Sequence, residues 1–154
     1  MPFIIGAREA LEMLVLPITL TLAGAAMLIN AWIAYRVGQM RGLHKVSIGD
    51  GGVEPLIARM RAHSNFAEYT PFFLILLGLI EMARGSPIWL WVVGILFVLA
   101  RIAHVFGMDR PPGNRLRTLS TVVSGIVLVG LAIYAITIPY LQPAPRASIT
   151  YASR

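Results

Sequence analysis

Residues 59–80 read RMRAHSNFAEYTPFFLILLGLI, and the change of character partway along them decides the fold. The second part, Phe72 to Ile80, is apolar throughout. The first carries Arg59, Arg61, His63, Asn65 and Glu68, yet holds no helix breaker before Pro71. At 3.6 residues per turn, Arg61, Asn65 and Glu68 stand at i, i+4 and i+7, within about 60° of one another. An apolar helix bearing one polar stripe belongs in a membrane, with the stripe against protein or a polar cavity, because a charge turned to lipid costs several kcal/mol. Two readings of the stripe stay open. It is a binding surface, or it is interhelical glue in which Arg61 pairs with Glu68 or with a neighbouring helix. His63 points to another face and reads as a local hydrogen-bonding group.

Working outward, three more apolar runs of spanning length flank this one. The expected fold is an all-α integral membrane protein, a four-transmembrane-helix bundle forming one domain over 1–154. Its helices are expected at about 11–35, 55–83, 87–108 and 116–140, followed by a disordered tail, 143–154. The composition agrees: 57% of the 154 residues are hydrophobic and 13% charged, where a soluble domain is about half apolar and a quarter charged. No room is left for a soluble catalytic module, so any chemistry sits on the helices or at their ends. Glu9 and Glu12 close to Arg8, and an apolar run too long for a signal peptide, point to a retained first helix.

The net charge of +6 reads as topology rather than as nucleic-acid binding. Arg36, Arg41, Lys45, Arg59 and Arg61 gather around the first loop, and Arg110, Arg115 and Arg117 around the third. Both loops are therefore expected to face the cytoplasm. Cysteine is absent, which excludes disulfides, thiolate metal sites and a cysteine nucleophile. His44, His63 and His104 fall on separate elements without ligand spacing, so no metal is expected. The run Gly49-Asp50-Gly51-Gly52 lacks the lysine and spacing of a P-loop and reads as a turn.

In the third helix, Arg101 and His104 are one turn apart. A buried Arg101 needs a partner, and Glu68 is the expected one. Arg115 and Arg117 open the fourth helix. They either snorkel to headgroups or join Arg61 and Arg36 in an electropositive pocket suited to a ligand with carboxylates. Thr118, Ser120, Thr121 and Ser124 read as packing residues bonded to their own backbone.

The stretch Arg59 to Pro71, with its core Arg61-x-x-x-Asn65-x-x-Glu68-Tyr69, closely resembles the second-helix signature of the MAPEG superfamily, the membrane-associated proteins in eicosanoid and glutathione metabolism. Arg101-x-x-His104 followed by Gly107 resembles the end of that family's third helix, and the likeness covers nearly the whole chain. The resemblance implies a homotrimer that binds glutathione between subunits near the cytoplasmic side. Arg61, Asn65, Glu68 and Tyr69 would contact glutathione, with Arg36, Arg101 and His104 as further members of the site. The family's thiol-activating arginine would be Arg117, or Arg115 where the preceding loop is shorter; Arg117 is preferred. His104, Met108 and Thr121 stand where some eicosanoid enzymes carry tyrosines, so the pattern is nearer to the general, bacterial-type members.

The resulting expectation is a membrane-embedded glutathione-dependent transferase or peroxidase, in the bacterial inner membrane, acting on lipophilic electrophiles or hydroperoxides that arrive through the lipid. Glutathione is the co-substrate and supplies the nucleophile. The alternative is a non-catalytic lipid- or glutathione-binding scaffold of the same fold. A small transporter is a weaker third, disfavoured because no paired broken helices are present.

Overall fold

A computed structural model describes residues 15–141. Four helices follow one another: α1 (Pro17–His44), α2 (Glu54–Arg84), α3 (Ile88–Met108) and α4 (Arg115–Leu141). Each is long and apolar enough to cross a membrane. Helices α2 and α3 form the middle of the bundle. Helix α1 packs on both from one side and α4 on both from the other, and α1 and α4 do not meet among the described residues. The expected start of the first helix at 11 and the tail 143–154 lie outside the described residues.

Helix α1 runs past Tyr35, where the sequence reading ended it, to His44. Arg36 and Arg41 mark where the chain leaves the apolar layer, which is a different event from the end of a helix. Basic Arg41 and His44 in the last turn favour continuation, since they complement the carbonyl end of the helix dipole. The helix stops at Lys45, which adopts the left-handed conformation (φ 54°) while Val46 N–H returns to the Arg41 carbonyl at 3.0 Å.

The other end of α1 is held by a residue from a different helix. Pro17 takes the first helical position, where its missing N–H costs nothing. The next two amides, of Ile18 and Thr19, donate to the Glu81 carboxylate at 3.0 and 2.8 Å. Thr19 Oγ1 and Ser86 Oγ donate to the same carboxylate at 2.7 and 2.6 Å. Glu81 is 2% exposed, and its charge is matched by the positive end of α1 and four donors instead of a basic side chain. The core between the helices is apolar: Ile18, Leu22, Phe73, Leu77, Ile80, Leu90 and Phe97 are buried, and the Phe73 and Phe97 rings stack at 3.9 Å.

Candidate functional site

The polar stripe of α2 faces two helix ends. Arg61, Ser64, Asn65 and Glu68 from α2, His104 and Met108 from α3, and Arg117 and Thr121 from α4 line one cleft of about 300 Å³. Arg61, Met108 and Arg117 also border a wider bowl of about 910 Å³, whose rim carries Arg59, Arg110, Glu54 and Asp109. On the opposite, membrane-level side, Glu68 and Tyr69 begin an apolar groove between α2 and α4, lined further by Phe72, Leu76, Leu128, Val129 and Ala132. The polar cleft thus opens both to the loop end of the bundle and, through Glu68, to the lipid-facing surface.

The loop before α4 sets the position of Arg117. Asn114 caps the helix: its Oδ1 accepts the Arg117 N–H at 3.0 Å, and its Nδ2 donates to the Gly107 and Pro111 carbonyls at 2.8 and 2.9 Å. One side chain therefore starts α4 and ties it to the end of α3. The contact is close because Gly107 has no side chain. A Cβ there would stand 2.8 Å from Arg117 Cα and N. Arg115 does not line the cleft, whereas Arg117 does.

Arg101 is 2% exposed and departs from the expected pairing with Glu68. Its Nη1 donates to Asn65 Oδ1 at 2.6 Å and its Nε to Ser124 Oγ at 3.0 Å. Its guanidinium also lies 5.4 Å from the Tyr69 ring and 5.7 Å from the Phe97 ring. A buried guanidinium held by neutral oxygens and aromatic faces leaves Glu68 free on the cleft wall. Asn65 and Tyr69 consequently hold Arg101 as well as bordering the cleft and the groove. His104 Nδ1 meets Thr121 Oγ1 at 3.2 Å, and Thr121 Oγ1 also donates to the Arg117 carbonyl at 2.9 Å.

Arg36 takes another course. It forms an ion pair with Asp109 and lies 5.0 Å from the Trp32 ring, while Arg59 reaches the same Asp109 at 3.6 Å and the Arg36 carbonyl at 3.1 Å. Within one chain it is therefore outside the cleft that gathers Arg61, Asn65, Glu68, His104 and Arg117. The sequence reading passed over Asn114, although an asparagine directly before a basic helix start is an N-cap signal. It read Ser124 as a packing residue bonded to its own backbone, and Ser124 Oγ does donate to the Ser120 carbonyl at 2.7 Å, but nothing in one sequence pairs it with Arg101 as well. Among the described residues, no three His, Asp or Glu side chains stand together as metal ligands.

Four apolar helices in one bundle, with an arginine-lined cleft at one end, define an integral membrane protein with a polar site near its helix ends. The sequence profile of the MAPEG family matches residues 19–137, and the chain belongs to that family. It is similar to the inner membrane protein YecN of Escherichia coli strain K12, being 32% identical over 75 residues, which are 48% of this chain and 56% of YecN. YecN of Escherichia coli O6:H1 strain CFT073 matches to the same extent. The match spans only about half the length of these curated relatives.

Proposed function

We propose that the protein is a glutathione-dependent transferase, with peroxidase activity as a companion reaction, acting on lipophilic electrophiles or hydroperoxides as a homotrimer in a bacterial inner membrane. One observation carries the reading. Arg61, Glu68 and Arg117 converge on one cleft, and none of their side chains makes a hydrogen bond or ion pair among the described residues. Arg61 and Glu68 complement a carboxylate and the ammonium of the tripeptide, and Arg117 supplies a second cation for its ionisable thiol. Both the cleft and the bowl have volumes within the range of small-molecule sites.

Arg61 and Glu68 would hold the charged ends of glutathione, and Arg117 would face its sulfur. A cation beside a thiol favours the thiolate, the nucleophilic form. The apolar groove between α2 and α4 gives a lipophilic partner a way to that sulfur from the bilayer. In conjugation the thiolate forms a C–S bond, and the displaced group leaves or the adduct carbon takes a proton. With a hydroperoxide, the thiolate takes the distal oxygen and an alcohol leaves. A second glutathione then gives the disulfide and water.

The inner-membrane location follows the description of YecN. The basic first and third loops would lie on the cytoplasmic side, and Ser47→Cys, in a chain with no other cysteine, should then react with a membrane-impermeant maleimide only in inverted vesicles. Calorimetric titration with glutathione is the primary test, followed by titration of the bound thiol through thiolate absorbance. The thiol pKa should fall below the free value of about 8.5, and Arg117→Ala should raise it and slow conjugation while changing affinity far less. Arg115→Ala should do neither. Glutathione bound with an unshifted thiol and no turnover of electrophile or hydroperoxide would instead establish a binding protein.

A further inference from the structure

The polar cleft shares a wall with the bowl at the loop end of the bundle. Arg61, Met108 and Arg117 border both. The bowl holds about 910 Å³ against about 300 Å³ for the cleft, which is room for a second ligand of the same size. Its own charges lie on the rim. Asp109 is taken up by Arg36 and Arg59. Arg110 and Glu54 are exposed, and neither side chain makes a hydrogen bond or ion pair among the described residues. A free guanidinium and a free carboxylate on one rim match a carboxylate and the ammonium of a second zwitterionic tripeptide.

Peroxidase chemistry needs such a ligand. Once the bound thiolate has taken the distal oxygen of a hydroperoxide it is a sulfenic acid, and another thiol must carry it on to a disulfide. The chain contains no cysteine, so that thiol belongs to a second glutathione. Its direction of approach is limited as well. Displacement at sulfur is collinear, with the incoming sulfur opposite the departing oxygen. A lipophilic hydroperoxide comes through the apolar groove, which meets the cleft at Glu68, so the oxygen it delivers lies on that side. The bowl lies on the other, and Arg117 borders it too.

We infer that the bowl is the subsite for a second glutathione, with Arg110 and Glu54 holding its charged ends and Arg117 facing both sulfurs. The inference rests on the glutathione reading of the cleft. The second thiol gives up its proton beside Arg117. Its sulfur forms the S–S bond, the S–O bond breaks, and the hydroxyl leaves with that proton as water. The first sulfur is reduced and the second oxidised, so no further reductant is consumed.

Calorimetry on the purified full-length protein tests this with two stable ligands. S-methylglutathione fills the cleft alone, whereas glutathione disulfide reaches from the cleft into the bowl. The disulfide should bind about tenfold more tightly, the worth of a charged contact. Arg110→Gln and Glu54→Gln, both on the exposed rim, should each remove most of that advantage, with S-methylglutathione affinity changed by less than about twofold. During turnover of cumene hydroperoxide, dimedone should trap little glutathione sulfenic acid from the wild-type protein and several-fold more from either variant. Disulfide binding no tighter than that of S-methylglutathione, an advantage that both variants keep, or equal trapping from all three proteins overturns the inference and leaves the cleft reading standing. Binding of neither ligand removes the cleft reading and the inference with it.

Discussion

Asn65, Arg61 and Glu68 share one helix face but differ in what they do for the fold. Asn65 Oδ1 is one of two hydrogen-bond acceptors for buried Arg101, whereas Arg61 and Glu68 are exposed in the single chain. Asn65→Ala should therefore lower stability by about 2 kcal/mol, because a buried charge loses a partner. Arg61→Ala and Glu68→Ala should leave thermal unfolding nearly unchanged and weaken glutathione binding about tenfold or more. Unfolding in detergent and calorimetry on the three variants separate the two roles; equal destabilisation by all three would make the whole stripe structural glue. Gly107 offers a sharper control of Arg117. Gly107→Ala drives a methyl into the Arg117 backbone, so turnover should fall several-fold while glutathione affinity, resting on α2, holds. Unchanged turnover would mean that the start of α4 adapts freely.

Among the elements, α1 was the least legible in the sequence. Its apolar run was plain, but its end was placed at Tyr35 because polarity was read as a loop, while the helix continues to His44. Periodicity likewise placed Arg61, Asn65 and Glu68 on one face, as α2 presents them to the cleft. The partners of Arg101 and Arg36 were beyond that reasoning. They depend on which side chains other helices bring near, and Asp109 is 73 residues from Arg36. Which of Arg115 and Arg117 lines the cleft is a matter of helix phase, and with Asn114 capping α4 it is Arg117. Glu81 was unreadable for the same reason as Arg101, since three of its four donors, the Ile18 and Thr19 amides and the Thr19 hydroxyl, come from another helix. Glu81→Ala strips those amides of their acceptor and should cost about 2–3 kcal/mol, with Glu81→Gln intermediate. An unfolding midpoint unmoved in Glu81→Ala would show that the amides of Ile18 and Thr19 find other acceptors.

At the scale of the molecule, one chain leaves its polar stripe uncovered. Arg61, Glu68 and Tyr69 are exposed, and α1 and α4 flank the bundle without closing over them. Charges at this level of a membrane protein seek protein neighbours, so the protein in mild detergent is expected to be a trimer by light scattering corrected for bound detergent. A monodisperse monomer that still binds glutathione would show that the cleft is complete within one chain. If the α2–α4 groove beginning at Glu68 and Tyr69 admits the lipophilic substrate of the proposed reaction, assembly must leave that side of the cleft open to lipid.

Helix α1 is fastened by residues from elsewhere in the chain, at its start by Glu81 and about two turns before its end by Asp109 through Arg36. The link joining it to α2 thus has little to hold. Its residues 47–52 are exposed, and Gly49, Gly51 and Gly52 all have positive φ. The chain is consequently divisible there. Cut between Gly51 and Gly52 and produced as two polypeptides, the halves should find each other in the membrane and copurify, and Glu81→Ala should weaken that reunion far more than it weakens the intact protein.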